Sequence, residues 1–221
     1  MTLRPAISVE GQTEYEFCRE VLRGHLEAFS IHVEPKIAVT KRNLRGPNAI
    51  GGAIGIDRFR NEVRRLLPSF DFVTTLYDFY GFKDREPNEA PDALCHRMSL
   101  SLDAPHRLIP YVQVYEFEAL LFSAPSVLAR YLAKEAIGTA IEAAVAGCGG
   151  AEQVNDSPQT APSKRLSALF HDHLNQRYDK TFHGPLLALE IGLPAIRAAC
   201  PRFHGWLSRL EGLGSKNVRR P

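Results

Sequence analysis

The chain has 221 residues, 44% hydrophobic and 24% charged, with a net charge of only +2, which is an ordinary globular composition. No apolar run reaches the roughly 20 residues of a membrane helix and the N-terminus carries no signal-peptide pattern, so a cytoplasmic protein with no membrane partner is expected. Cys18, Cys95, Cys148 and Cys200 lie far apart, which argues against a zinc ribbon or a disulfide scaffold and predicts buried, reduced thiols.

In chain order, Ala6, Ile7 and Val9 predict a short buried strand. Glu10 follows at its carboxyl end, Gly11 allows a tight turn, and Thr13 could cap a helix that begins at Glu14. Phe17, Val21, Leu22 and Leu26 then carry a helical apolar stripe. "IHVEPKIAVT" reads as extended chain and "GPNAIGGAIG" as a glycine-rich loop. That loop lacks the Lys-Ser/Thr ending of a phosphate loop, which argues against nucleotide hydrolysis. "DRFRNEVRRLLPSF" predicts an amphipathic helix stopped near Pro68, and "DFVTTLYDFYGF" a buried strand, dense in β-branched and aromatic residues. A helix over "PDALCHRMSLSL" and a strand running into a helix over "HRLIPYVQVYEFEALLF" continue the alternation. Strands alternating with helices predict an α/β fold with a mainly parallel sheet.

Beyond Pro125 the strand signal fades: "SVLARYLAKEAIGTAIEAAVAG" is alanine-rich and reads as helical, "CGGAEQVNDSPQTAP" as a loop, and "SKRLSALFHDHL" and "PAIRAACPRFHGWLSRLEGL" as helices. The expected organisation is an α/β domain over 1–125 and a helical C-terminal region over 126–221, which could share one core. From Lys164 onward there are ten Lys or Arg against four Asp or Glu, a balance of +6 that leaves −4 for the preceding residues. A basic back behind an acidic front suits a polyanion, though a solvated helical face accounts for the charge equally well.

Acids stand at three predicted strand ends: Glu10, Asp78, and Glu116 with Glu118. In a parallel sheet the carboxyl ends share one edge, where ligands bind. Carboxylates gathered there repel one another and lose hydration, so a hard cation is the natural compensation. Each acid also has a plainer role: Glu10 as a helix cap, Asp78 as an Asx turn, and one of Glu116 and Glu118 as a first-turn acid. Lys164 and Arg165 fall at the start of a helix, where a phosphate partner or plain solvation would explain them. His171 and His173 are too divergent on a helix to favour a metal site, and Trp206, Phe203 and Leu207 read as core.

"VEGQTEYEF", "TTLYDFYGF" and "YVQVYEFEALLFSAP", with "APSKR" and "IGLPAIRAACPRFHGWLSRLEGL", resemble a bacterial family of unknown function over nearly the whole chain. That family is similar to the Toprim fold of topoisomerases, primases and the overcoming-lysogenization-defect nucleases. The resemblance implies a Toprim-like, largely parallel sheet flanked by helices, and a Mg²⁺- (or Mn²⁺-) dependent nuclease in bacterial defence. Its metal ligands would be Glu10, Asp78, Glu116 and Glu118. Glu10, Asp78 and Lys164 are the candidate catalytic residues, and Lys164 and Arg165 the candidate nucleic-acid contacts. Toprim proteins carry an Asp-x-Asp pair, whereas here Tyr80 stands where the second Asp belongs. The expected partners are DNA or RNA and a separately encoded ATPase, with a homodimer left open. The alternative is a nucleic-acid-binding or regulatory module that kept the fold and lost the chemistry.

Overall fold

Pro5–Val9 is buried at every position, the pattern of a strand covered on both faces of a parallel sheet. This strand, β1, is central in the computed structural model, which describes residues 2–38, 54–154 and 159–217. It pairs in parallel with β2 (Glu34–Ile37) on one side and β3 (Phe72–Asp78) on the other. β3 in turn takes β4 (Leu108–Ile109) and, nearer its carboxyl end, β5 (Val112–Gln113), both parallel. The order is thus β2-β1-β3-β4, with β5 alongside β3.

The expected parallel sheet flanked by helices is present. After β1 come α1 (Gln12–Phe17), a π-helical turn at Cys18–Leu22, and α2 (Arg23–Glu27). α3 (Ile56–Leu66) precedes β3, and α4 (Pro91–Leu100) precedes β4. Val73, Tyr77, Leu108 and Val112 pack on one sheet face with Phe59 and Val63 of α3 and Leu94 and Met98 of α4. Strand alternation turns Thr74 to the opposite face. There the indole N–H of Trp206 donates to Thr74 Oγ1 at 2.8 Å, and the Trp206 ring stacks on Tyr111 with centroids 4.7 Å apart.

The chain divides into two compact units, Met1–Gln113 with Trp206–Pro221, and Val114–Gly205. The second is helical: a buried 3₁₀ segment (Phe117–Ser123), α5 (Pro125–Tyr131), α6 (Glu135–Cys148), α7 (Pro162–Leu174), α8 (Lys180–Ile191) and α9 (Leu193–Ala199). The final helix, α10 (Pro201–Asn217), carries residues of both units. Phe117, Leu120, Leu121 and Phe122 of the 3₁₀ segment are almost wholly buried. The alanine-rich stretch expected as one helix is two, because Ala133 adopts a left-handed φ of 52° between α5 and α6. The two helices then approach so closely that a side chain at Gly138 would come within 2.8 Å of Ala129 Cβ. α8 gave no clear signal in the sequence.

The four cysteines are free: Cys18 and Cys200 are buried, Cys95 and Cys148 partly so. The glycine-rich stretch 46–55 lies outside the described residues except for Ile54 and Gly55.

Thr74 Oγ1 also donates to the Ile109 carbonyl, so Thr74→Val removes both hydrogen bonds at nearly constant shape. The buried indole N–H is then left without its acceptor, which destabilises the protein by about 1–3 kcal/mol in urea unfolding. Trp206 is the single tryptophan, so its fluorescence should follow both the transition and the change around Thr74.

Candidate active site at the carboxyl edge of the sheet

β1 and β3 run in register from Pro5↔Phe72 to Val9↔Leu76, so the residues leaving their carboxyl ends leave side by side. Glu10 is the first residue beyond β1 and Asp78 the last of β3. Glu10 Oε1 accepts the Asp78 backbone N–H at 3.0 Å. Gly81 lies close on the other side of the carboxylate, where a Cβ would stand 3.9 Å from Glu10 Oε2. Beneath this edge the hydroxyls of Ser8 and Tyr77 share a buried hydrogen bond of 2.6 Å. Burial holds the Tyr77 phenol well above its ordinary range, against the opposing effect of that bond.

Helix α1 starts two residues after Glu10. Gly11 is its N-cap, in place of the expected Thr13, and Glu14 Oε2 reaches back to accept the Gly11 N–H at 3.0 Å. This reach-back brings a second, buried carboxylate close to Glu10. Burial pushes Glu10 from the usual 4.5 up to about 8; the Asp78 N–H pulls the other way and the Glu14 charge adds to the rise. Glu10 is thus a carboxyl that can hold or release a proton near neutral pH, beside a neighbour that makes its ionised form costlier. Glu14 is the member of this edge that helical periodicity alone does not mark. Its signal was the spacing Gly11-x-x-Glu14, half of a capping box.

Asp78 and Glu10 are therefore brought together. Tyr80 is 40% exposed, and Phe79 beside it is buried under the Arg85 guanidinium at 4.5 Å. Glu116 and Glu118 sit in the second unit with partners of their own. Glu116 is the extended N-cap of the 3₁₀ segment, and its Oε2 accepts the Ser163 N–H at 3.1 Å, capping α7 from a distance. Glu118 points inward, almost wholly buried, and pairs with Lys180 at 3.3 Å. Lys164 is exposed near the start of α7, while the Arg165 guanidinium donates to the Thr160 carbonyl at 2.8 Å. Among the described residues no group of three or more His, Cys, Asp or Glu side chains is arranged to hold a metal ion, and no helix is long and apolar enough to cross a membrane.

The displaced ionisation of Glu10 carries a definite sign. Between pH 4.5 and about 8 the unfolded chain has released this proton and the folded chain has kept it, so stability falls as pH rises through that window. Above it, the loss assignable to Glu10 is on the order of 5 kcal/mol. Glu10→Gln keeps the acceptor for the Asp78 N–H but cannot ionise. The difference in melting temperature between this variant and wild type, measured from pH 4 to 9, should be small at the acid end and grow in the variant's favour toward pH 8.

No protein of curated function and no solved structure matches the chain. A family model described as a domain of unknown function, DUF4276, matches residues 9–211, from the end of β1 through most of α10 and across both units. The chain belongs to the DUF4276 family.

Proposed function

We propose that this chain is a Mg²⁺-dependent phosphodiester nuclease acting on nucleic acid, with its chemistry at Glu10 and Asp78. The observation that supports this reading is the juxtaposition of the two acids at the carboxyl edge of a parallel sheet, locked by the bond from the Asp78 N–H to Glu10. Such an edge is where α/β folds place their ligands.

The donor set fits a hard cation. Mg²⁺ commonly takes one or two protein carboxylates, keeps several waters, and completes its shell with phosphate oxygens. Glu10, whose ionised form is disfavoured by burial and by Glu14, gains most from a neighbouring positive charge. In this reading Glu10 and Asp78 hold the metal, and Glu116 and Glu118 keep their engagements with Ser163 and Lys180. When bound, the metal would polarise the phosphodiester and lower the pKa of an attacking water. The Asp78 N–H holds one oxygen of Glu10 and leaves the other for the cation, or, where Asp78 alone holds the cation, for a proton taken from the attacking water as general base. Lys164, exposed on α7, offers a phosphate contact. The resemblance to overcoming-lysogenization-defect nucleases supports a setting in bacterial defence, beside a separately encoded ATPase.

A second reading, a nucleic-acid-binding module without chemistry, is favoured by Tyr80 at the position of the missing aspartate. The experiment that separates the two uses plasmid, single-stranded DNA and RNA with Mg²⁺ or Mn²⁺. Wild type should show chelator-sensitive cleavage, and Glu10→Gln and Asp78→Asn should each lose about 100-fold or more. The same ions should raise the wild-type melting temperature in a concentration-dependent way, a gain absent from Asp78→Asn. Undiminished cleavage in both variants would overturn the nuclease reading, whereas binding without cleavage in wild type would support the second.

A further inference from the structure

The second unit holds a cavity of about 750 Å³ where the end of α7 meets the start of α8, lined by polar and apolar surface in nearly equal measure. Ser167 and His171 contribute from α7, Arg177 from the connecting loop, and Lys180 and Thr181 from α8. We infer that this cavity and the adjoining face of α7 hold the backbone of single-stranded nucleic acid, with phosphates against Arg177 and Lys164. The inference deepens the nuclease reading, since it names the grip on the same substrate, yet it stands on other residues and can fail separately.

The loop that presents Arg177 is built rather than slack. Asn175 takes a left-handed φ of 52°, and two bonds close the end of α7, from the Asn175 N–H to the His171 carbonyl and from the Gln176 N–H to the Phe170 carbonyl. Two residues on, Tyr178 is buried edge-on against Phe170 with centroids 5.2 Å apart. Asp179 then caps α8 by accepting the Thr181 and Phe182 N–H groups, and its own N–H donates to His183 Nδ1. Arg177 is therefore an exposed side chain on a fixed backbone, so the loop itself need not be ordered on binding.

Charge selects the ligand. Among the described residues the cavity is lined by one acid, Asp179, whose carboxylate is turned to the Thr181 and Phe182 N–H groups, and Lys180 is balanced by Glu118 at 3.3 Å. Among the described residues neither Arg177 nor Lys164 makes an ion pair, so both charges remain uncompensated. Lys164, Ser167 and His171 recur at helical spacing on one face of α7, with Lys164 about 10 Å along the axis from His171. That reach exceeds a single phosphate and matches a run of backbone. His171 bonds Asp172 through Nδ1, which leaves Nε2 for the cavity. Phe182, the residue after Thr181, is 65% exposed, an uncommon position for a large aromatic ring and a ready platform for an unpaired base.

The test measures anisotropy of a labelled single-stranded oligonucleotide in EDTA, across a salt series, in a Glu10→Gln background. Arg177→Ala and Lys164→Ala should each weaken binding and lower the slope of log K against log salt by about 0.7, whereas Arg177→Lys should keep the slope. Phe182→Ala should weaken binding by about fivefold or more with the slope unchanged. Affinity and slope unaltered in the Arg177→Ala, Lys164→Ala double variant would overturn the inference, as would displacement of the oligonucleotide by inorganic phosphate at equal phosphate concentration. Intact, slope-sensitive binding in a wild type that cleaves nothing would sink the nuclease reading and leave this site standing.

Discussion

Because β1 and β3 pair in parallel and in register, two acids separated by 67 residues in the chain emerge at the same edge, and the bond from the Asp78 N–H to Glu10 Oε1 fixes how they face each other. The burial of β1 makes this unavoidable. A strand covered on both faces has no tolerance for slippage, since a shift of one residue would turn Ser8 and Glu10 into positions packed by Ile7 and Val9. The Ser8–Tyr77 hydroxyl pair pins the same register from below, at the last turn of the pleat before the acids. The proton held by Glu10 is a consequence of this packing. Its carboxylate is half-buried, meets one backbone N–H, and faces a second acid whose own position is set by the start of α1.

The chain uses carboxylates in more than one way, and the comparison clarifies what is unusual about Glu10. Glu116 accepts the Ser163 N–H, and Glu152, buried, accepts the Arg202 and Phe203 N–H groups at 2.9 and 3.0 Å. Both serve as remote caps for helices α7 and α10, where orphan N–H groups and the helix dipole stabilise a negative charge. Glu118 is instead matched by Lys180. Each of these acids has a hydrogen-bond or ion-pair partner of its own. Glu10 has one N–H in its favour and both burial and Glu14 against it, so its carboxyl keeps its proton to higher pH.

In the second unit the same economy of backbone groups leaves a different surface. Asp179 satisfies the start of α8 and Asn175 closes the end of α7, so the polar side chains between them are not drawn into capping. They line an open cavity. The clustering of cations that the composition showed after Lys164 thus resolves into distinct fates. Arg165 is turned to a carbonyl and Lys180 to a buried acid, while Lys164 and Arg177 are presented outward.

Local pattern was enough to specify the alternation of strands and helices, the parallel sheet, the buried character of Trp206, Phe203 and Leu207, and the place of Glu10 and Asp78 at strand ends. Each of these follows from periodicity and from residue types within a window of a few turns. Tertiary structure decided the rest. The cap of α1 moved from Thr13 to Gly11 because Glu14 reaches back to a backbone N–H. Glu116 and Glu118 parted because a 3₁₀ segment begins between them, and their partners, Ser163 and Lys180, lie 47 and 62 residues further on. The return of Trp206 to the sheet, bonded to Thr74 across 132 residues, is likewise invisible to any local pattern. Which acids meet, and which proton is displaced, depends on desolvation and on neighbours remote in sequence, and those exist only once the chain has folded.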